Sequence, residues 1–175
     1  MELQSAYRQA SPPCAISHSP AQAAQILLTR HWDKRFPVNV AAIIAAEGLN
    51  LVCRGILNDE GYGFSGYYNR AARTVEYNGN EAHVRQRFTM AHELGHYALG
   101  HSDAPRDTAS SFVSDSTKPQ ERAANQFAAA LLMPAAAVKV VIQAGTVKTS
   151  DELARIFGVS KVAMAYRVQN LGIAV

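Results

Sequence analysis

Cysteine is nearly missing: Cys14 and Cys53 stand alone in 175 residues, with no Cys-x-x-Cys spacing. Two cysteines cannot build a disulfide framework, which points to a reducing compartment. The chain does not open with a basic stretch followed by an apolar run, so no signal peptide is expected. The run "VNVAAIIAA" falls far short of a membrane span, and no other segment is expected to reach one. Charge is sparse as well. Lys and Arg number 17 against 14 Asp and Glu, a balance of +3 scattered as single residues rather than blocks. So mild an excess permits contact with nucleic acid or an acidic partner without arguing for either. Internal repeats and low-complexity tracts are also lacking. These absences describe a soluble, cytoplasmic chain. What is present is apolar, 48% of the residues, ample for one packed core.

Along the chain, residues 1–18 are rich in Ser, Pro and Gln and read as a flexible arm. In "SPAQAAQILLTRHW" a Ser cap and a Pro at the first helical position open a helix. A second helix is expected from about Pro37 to the stop at Gly48. Three strand-like runs follow, "LNLVCRGI", "GFSGYYN" and "RTVEYNG", separated by Asn, Asp and Gly turn signals. Their spacing suits a small antiparallel sheet. Helical patterning returns after Asn80 and ends near Gly100. A polar loop, "SDAPRDTASSFVSDSTKP", then leads to the helix "QERAANQFAAALLMP", closed by Pro134, and to a further helix in "AAAVKVVIQAG".

The chemistry concentrates in "RQRFTMAHELGHYALGH", residues 85–101. Residues four apart on a helix share a face, so His92 and His96 present two imidazoles to one point. Glu93 lies one position round from His92, within reach of a metal-bound water. This is the H-E-x-x-H arrangement of two zinc ligands and a general base. The competing explanation is a solvated His/Glu stripe, but the other faces of this helix are apolar. A catalytic zinc takes three protein ligands. His101 is out of register for the metzincin pattern, in which Leu99 would be Gly and Ser102 the last ligand. Its expected place is the helix C-terminus, where a partly charged imidazole suits the dipole. Glu121, the one acidic residue of the next long helix, is the favoured third ligand. Asp103, Asp107 and Asp115 are rivals on a loop that would hold a ligand less rigidly. Asn125, one turn beyond Glu121, could hydrogen-bond a ligating imidazole.

Three stretches, "RFTMAHELGH", "ERAANQFAAALLMP" and "ELARIFGVSKVAMAYRVQNLG", resemble the ImmA/IrrE-type metallopeptidases from about Arg87 to Gly172. The resemblance implies a minimal gluzincin: an α+β, zincin-like fold with a small antiparallel sheet packed on the HExxH helix and a second ligand-bearing helix. It implies one catalytic zinc ion on His92, His96 and Glu121, with Glu93 as base. Gluzincins commonly carry Asp where this chain has Asn125. Many relatives have a further acidic residue where it has Ala123, which leaves Glu121 unambiguous. The implied reaction is peptide hydrolysis, and the implied substrate is an XRE-type helix-turn-helix repressor or antitoxin in a stress, mobile-element or toxin–antitoxin-like setting. Tyr97, His83 and the strand tyrosines are unranked candidates for stabilising the oxyanion.

Residues 19–145 thus form the expected peptidase domain and 146–175 a helix-turn-helix-like hairpin packed on it. Thr149 and Glu152 make a capping-box pattern, "GVS" the turn, and Gly172 the stop. Ser160, Lys161, Met164 and Arg167 are the residues such a hairpin would offer to DNA or a partner. With so thin a basic face, direct DNA binding is the less favoured use. The alternatives to a protease are a regulatory, toxin or DNA-binding module that uses the zincin fold as scaffold, and a zinc hydrolase of a non-protein amide.

Overall fold

The computed structural model describes residues 18–55, 64–101, 107–108, 119–147 and 149–173. Nearly all of the expected N-terminal arm lies outside them, with Cys14, Asp103, Asp115 and the Asp107 side chain. Helix α1 (Pro20–His31) begins as its sequence dictates, with Ser19 and Gln22 capping each other's backbone N–H at 3.3 and 2.9 Å. Helix α2 (Val40–Ala46) starts later than Pro37, because Asn39 takes the cap and accepts from the Ala42 N–H at 3.1 Å. Gly48, at φ +70, ends it.

Strands β1 (Asn50–Arg54), β2 (Phe64–Asn69) and β3 (Thr74–Asn78) form a sheet with β4 (Asp107–Thr108), in the order β1-β3-β2-β4. The sheet is mixed rather than wholly antiparallel: β1 pairs parallel with β3, and β2 antiparallel with β3. Strand β2 runs antiparallel to β1 two strand positions away, at about 10 Å. The β2–β3 hairpin then feeds β3 into the slot between them. The fourth strand arises in the stretch expected to be loop.

Helix α3 (His83–Ala98) lies against β2 and β3 on one side and α4 (Pro119–Leu132) on another. Pro134 caps α5 (Ala135–Gln143). By length and composition the run Pro119–Gln143 is apolar enough to cross a membrane, contrary to expectation, but half of its most apolar window is buried within the fold. Helices α6 (Ser150–Phe157) and α7 (Lys161–Asn170) form the C-terminal hairpin, turned by Gly158 in the left-handed region at φ +62.

One core runs through all of this. Leu28, Ile43, Val75, Leu94, Phe127 and Leu131 are fully buried in it together with Leu153, Phe157 and Met164 of the hairpin. The hairpin is also tied on by polar bonds: Arg87 of α3 donates to the Gly158 carbonyl at 3.0 Å, and Arg167 to that of Met133 at 2.9 Å.

Candidate metal centre

Two glycines determine what lies near the HExxH motif. A Cβ on Gly95 would come within 3.0 Å of Phe127 Cδ1 and 3.3 Å of the Ala124 backbone. Only a residue without a side chain lets α3 and α4 approach this closely, and that approach sets Glu121 opposite the two histidines. On the sheet side, a Cβ on Gly66 would lie 2.3 Å from Thr89 Cγ2 and 3.2 Å from Glu93 Cγ. Strand β2 therefore runs directly over the turn of α3 that carries Glu93.

His92, Glu93, His96 and Glu121 are buried, at 0, 4, 3 and 6% exposure. Such a concentration of ionisable groups in a dry core costs several kcal/mol unless their charges and lone pairs are matched. His92 Nε2 lies 3.0 Å from His96 Nε2 and 3.1 Å from Glu121 Oε2, and His96 Nε2 lies 3.5 Å from Glu121 Oε1. Around an ion with bonds of about 2.0–2.1 Å, tetrahedral ligands stand about 3.3 Å apart. The three residues fit a divalent cation in both spacing and donor chemistry, and they are the cluster of that kind among the described residues.

Asn125 Oδ1 accepts from His92 Nδ1 at 2.9 Å, as the one-turn spacing from Glu121 suggested. Burial alone would push the Glu121 carboxyl up, but hydrogen bonds from His92 and His96 outweigh it and hold the group well below the usual carboxylate range. His101 is outside the ligand cluster. Its ring faces His96 instead, and burial, reinforced by His96, pushes its pKa down to about 4. Burial thus opposes the partly charged imidazole expected at the helix terminus.

The structure also places the other candidate residues. The Tyr97 hydroxyl donates to Glu47 Oε2 at 3.1 Å, and Tyr68 packs edge-on to Tyr97, so both belong to the α2 side of α3. His83 begins α3, more than two turns from His92. In the hairpin, Ser160 caps α7 by accepting from the Ala163 N–H, Lys161 pairs with Asp151, and Arg167 is spent on Met133. Met164, read as a contact residue, is fully buried: it lies on the core-facing side of α7. No local pattern in the sequence signals Gly66, and Gly95, a small residue within the motif itself, is signalled only weakly.

A family model described as the IrrE N-terminal-like domain of M78 peptidases matches residues 52–169. The chain belongs to the M78 peptidase family. Its two motif histidines and Glu121 form a buried cluster that could hold a metal ion. Among solved structures, the M78 chain is similar in fold to a Mycobacterium tuberculosis transcriptional regulator, with a TM-score of 0.58 and 19% identity. The match covers 87% of this chain and 46% of the regulator, so the chain spans under half the length of that relative. Curated proteins return no match.

Proposed function

We propose that the protein is a zinc-dependent endopeptidase of the cytoplasm that cleaves a helix-turn-helix transcriptional repressor or antitoxin. The observation that carries the catalytic part is the buried triangle of His92, His96 and Glu121 with Glu93 on the same helix turn. The histidines and Glu121 would hold one zinc ion, and Asn125 keeps His92 turned toward it. Zinc in such a site lowers the pKa of a bound water and polarises a carbonyl. Glu93 takes the proton of the attacking water and returns it to the leaving amine. Its place between α3 and the β2 backbone at Gly66 restricts its rotamers and keeps bulk water out. The substrate class rests on the family resemblance, and the fold shared with a protein named as a transcriptional regulator is in keeping with it.

The test pairs metal analysis with Glu93→Gln. The purified protein should carry one zinc, and the variant should keep zinc and fold yet leave a co-expressed neighbouring helix-turn-helix regulator uncut. Persistence of the biological effect in Glu93→Gln would favour the scaffold reading, a regulatory or toxin module that acts by binding.

A further inference from the structure

The edge of the His96 ring away from the ligand cluster is met by a third histidine. Gly100, at φ +67, turns the chain back at the end of α3, and the His101 N–H bonds to the His96 carbonyl at 3.0 Å. That return lays the His101 ring against His96, with centroids 5.0 Å apart and planes at 72°. The two Nδ1 atoms are 3.1 Å apart. His92 is engaged at the equivalent nitrogen by Asn125 Oδ1 at 2.9 Å. An amide oxygen only accepts, so His92 Nδ1 carries a proton, and with zinc bound Nε2 would offer the ion its lone pair. For His96 to offer Nε2 in the same way, its Nδ1 must donate and the atom facing it must accept. At 3% exposure His96 has little access to water that could replace a lost partner.

We propose that His101 is a positioning residue for His96: as the neutral Nε2–H tautomer it accepts a hydrogen bond from His96 Nδ1–H, fixing the tautomer and rotation in which His96 binds metal. This rests on reading His92, His96 and Glu121 as a zinc site. It also gives a use to the one-residue offset that removes His101 from the ligand set. The left-handed turn at Gly100 sends the side chain to the outer nitrogen of a ligand.

Zinc affinity of the full chain, measured by competition with a chromophoric chelator, tests this on the parent protein, His101→Leu and His101→Asn. The Asn side-chain oxygen can stand where Nδ1 stands and can only accept. His101→Leu should bind zinc about 10–100-fold more weakly, the range for loss of such partners, and His101→Asn should recover most of that loss. Melting in excess chelator checks that each variant is folded. In the zinc-loaded parent, nitrogen–proton correlation spectra should show His96 protonated at Nδ1 and His101 at Nε2, a readout that needs no variant. Parent-level affinity in His101→Leu, no recovery in His101→Asn, or a proton on His101 Nδ1 overturns the proposal alone. A parent protein that takes up no zinc overturns the zinc site and this proposal together.

Discussion

Glu121 is held between opposing forces, and the balance can be measured. Burial favours its neutral form, while the bonds from His92 and His96 favour the carboxylate and prevail. A carboxyl depressed on folding stabilises the fold at pH values above its unfolded pKa, and that stability is lost as pH falls through the folded value. In metal-free protein the denaturant midpoint should therefore drop as pH falls below the ordinary carboxyl value of 4.5. Glu121→Gln should flatten that drop, and an unchanged profile would mean the bonds contribute nothing. Replacing Glu121 by Ala should sharply weaken zinc binding in a chelator competition. Retained stoichiometric zinc would redirect attention to Asp103, Asp107 and Asp115. Asn125→Leu should cost about 10–100-fold in affinity by freeing the His92 ring. At this scale helical periodicity aligns His92 with His96 and Glu121 with Asn125, while Glu121 itself stands out from the loop aspartates by its place on a rigid helix. The packing of His101 against His96 is not legible in this way, since it depends on how the chain returns after Gly100.

Among elements, the crossing of α3 over α4 is what joins the two halves of the site. Gly95→Ala tests it with a sign that magnitudes decide. In an unhindered helix interior Ala is better than Gly by about 0.5–1 kcal/mol. Here the new methyl meets Phe127 at 3.0 Å and backbone of Ala124 at 3.3 Å, and backbone cannot rotate away. Overpacking of this kind costs about 1–3 kcal/mol. The substitution should lower both the melting temperature and zinc affinity, because separating the helices moves Glu121 from His92. A rise in melting temperature would show that the contact yields easily. Several helix ends are readable in the sequence because their signals are local: Ser19, Gly48, Pro134 and Gly158 each act on their own turn, whereas the Asn39 cap of α2 is not picked out from Pro37 nearby. Strand order is not readable, because placing β3 between β1 and β2 depends on a connection whose path no local pattern encodes. Gly66 escaped notice for the same reason, since its neighbours Thr89 and Glu93 belong to another element.

At the level of the whole molecule, the C-terminal hairpin shares its core with the peptidase fold. Phe157 is fully buried and its ring lies 4.8 Å from that of Phe36. Phe157→Ala should destabilise the entire protein by about 3–5 kcal/mol in a single unfolding transition. A separate early transition confined to residues 150–173 would instead mark the hairpin as independent. With Met164 buried, Arg167 bonded to Met133 and Lys161 to Asp151, a gel-shift at moderate salt should find no sequence-selective DNA binding. Arg87 carries this integration furthest. It donates to the carbonyl of Val38 at 2.9 Å and to that of Gly158, partners 49 and 71 residues away along the chain. A nascent chain leaving the ribosome thus has His92, His96 and Glu121 in hand well before Gly158 emerges. Until it does, Arg87 on the helix bearing His92 and His96 has only the Val38 carbonyl of its two partners. Truncation ahead of Gly158, by a stop codon or a protease, should weaken zinc binding without removing His92, His96 or Glu121.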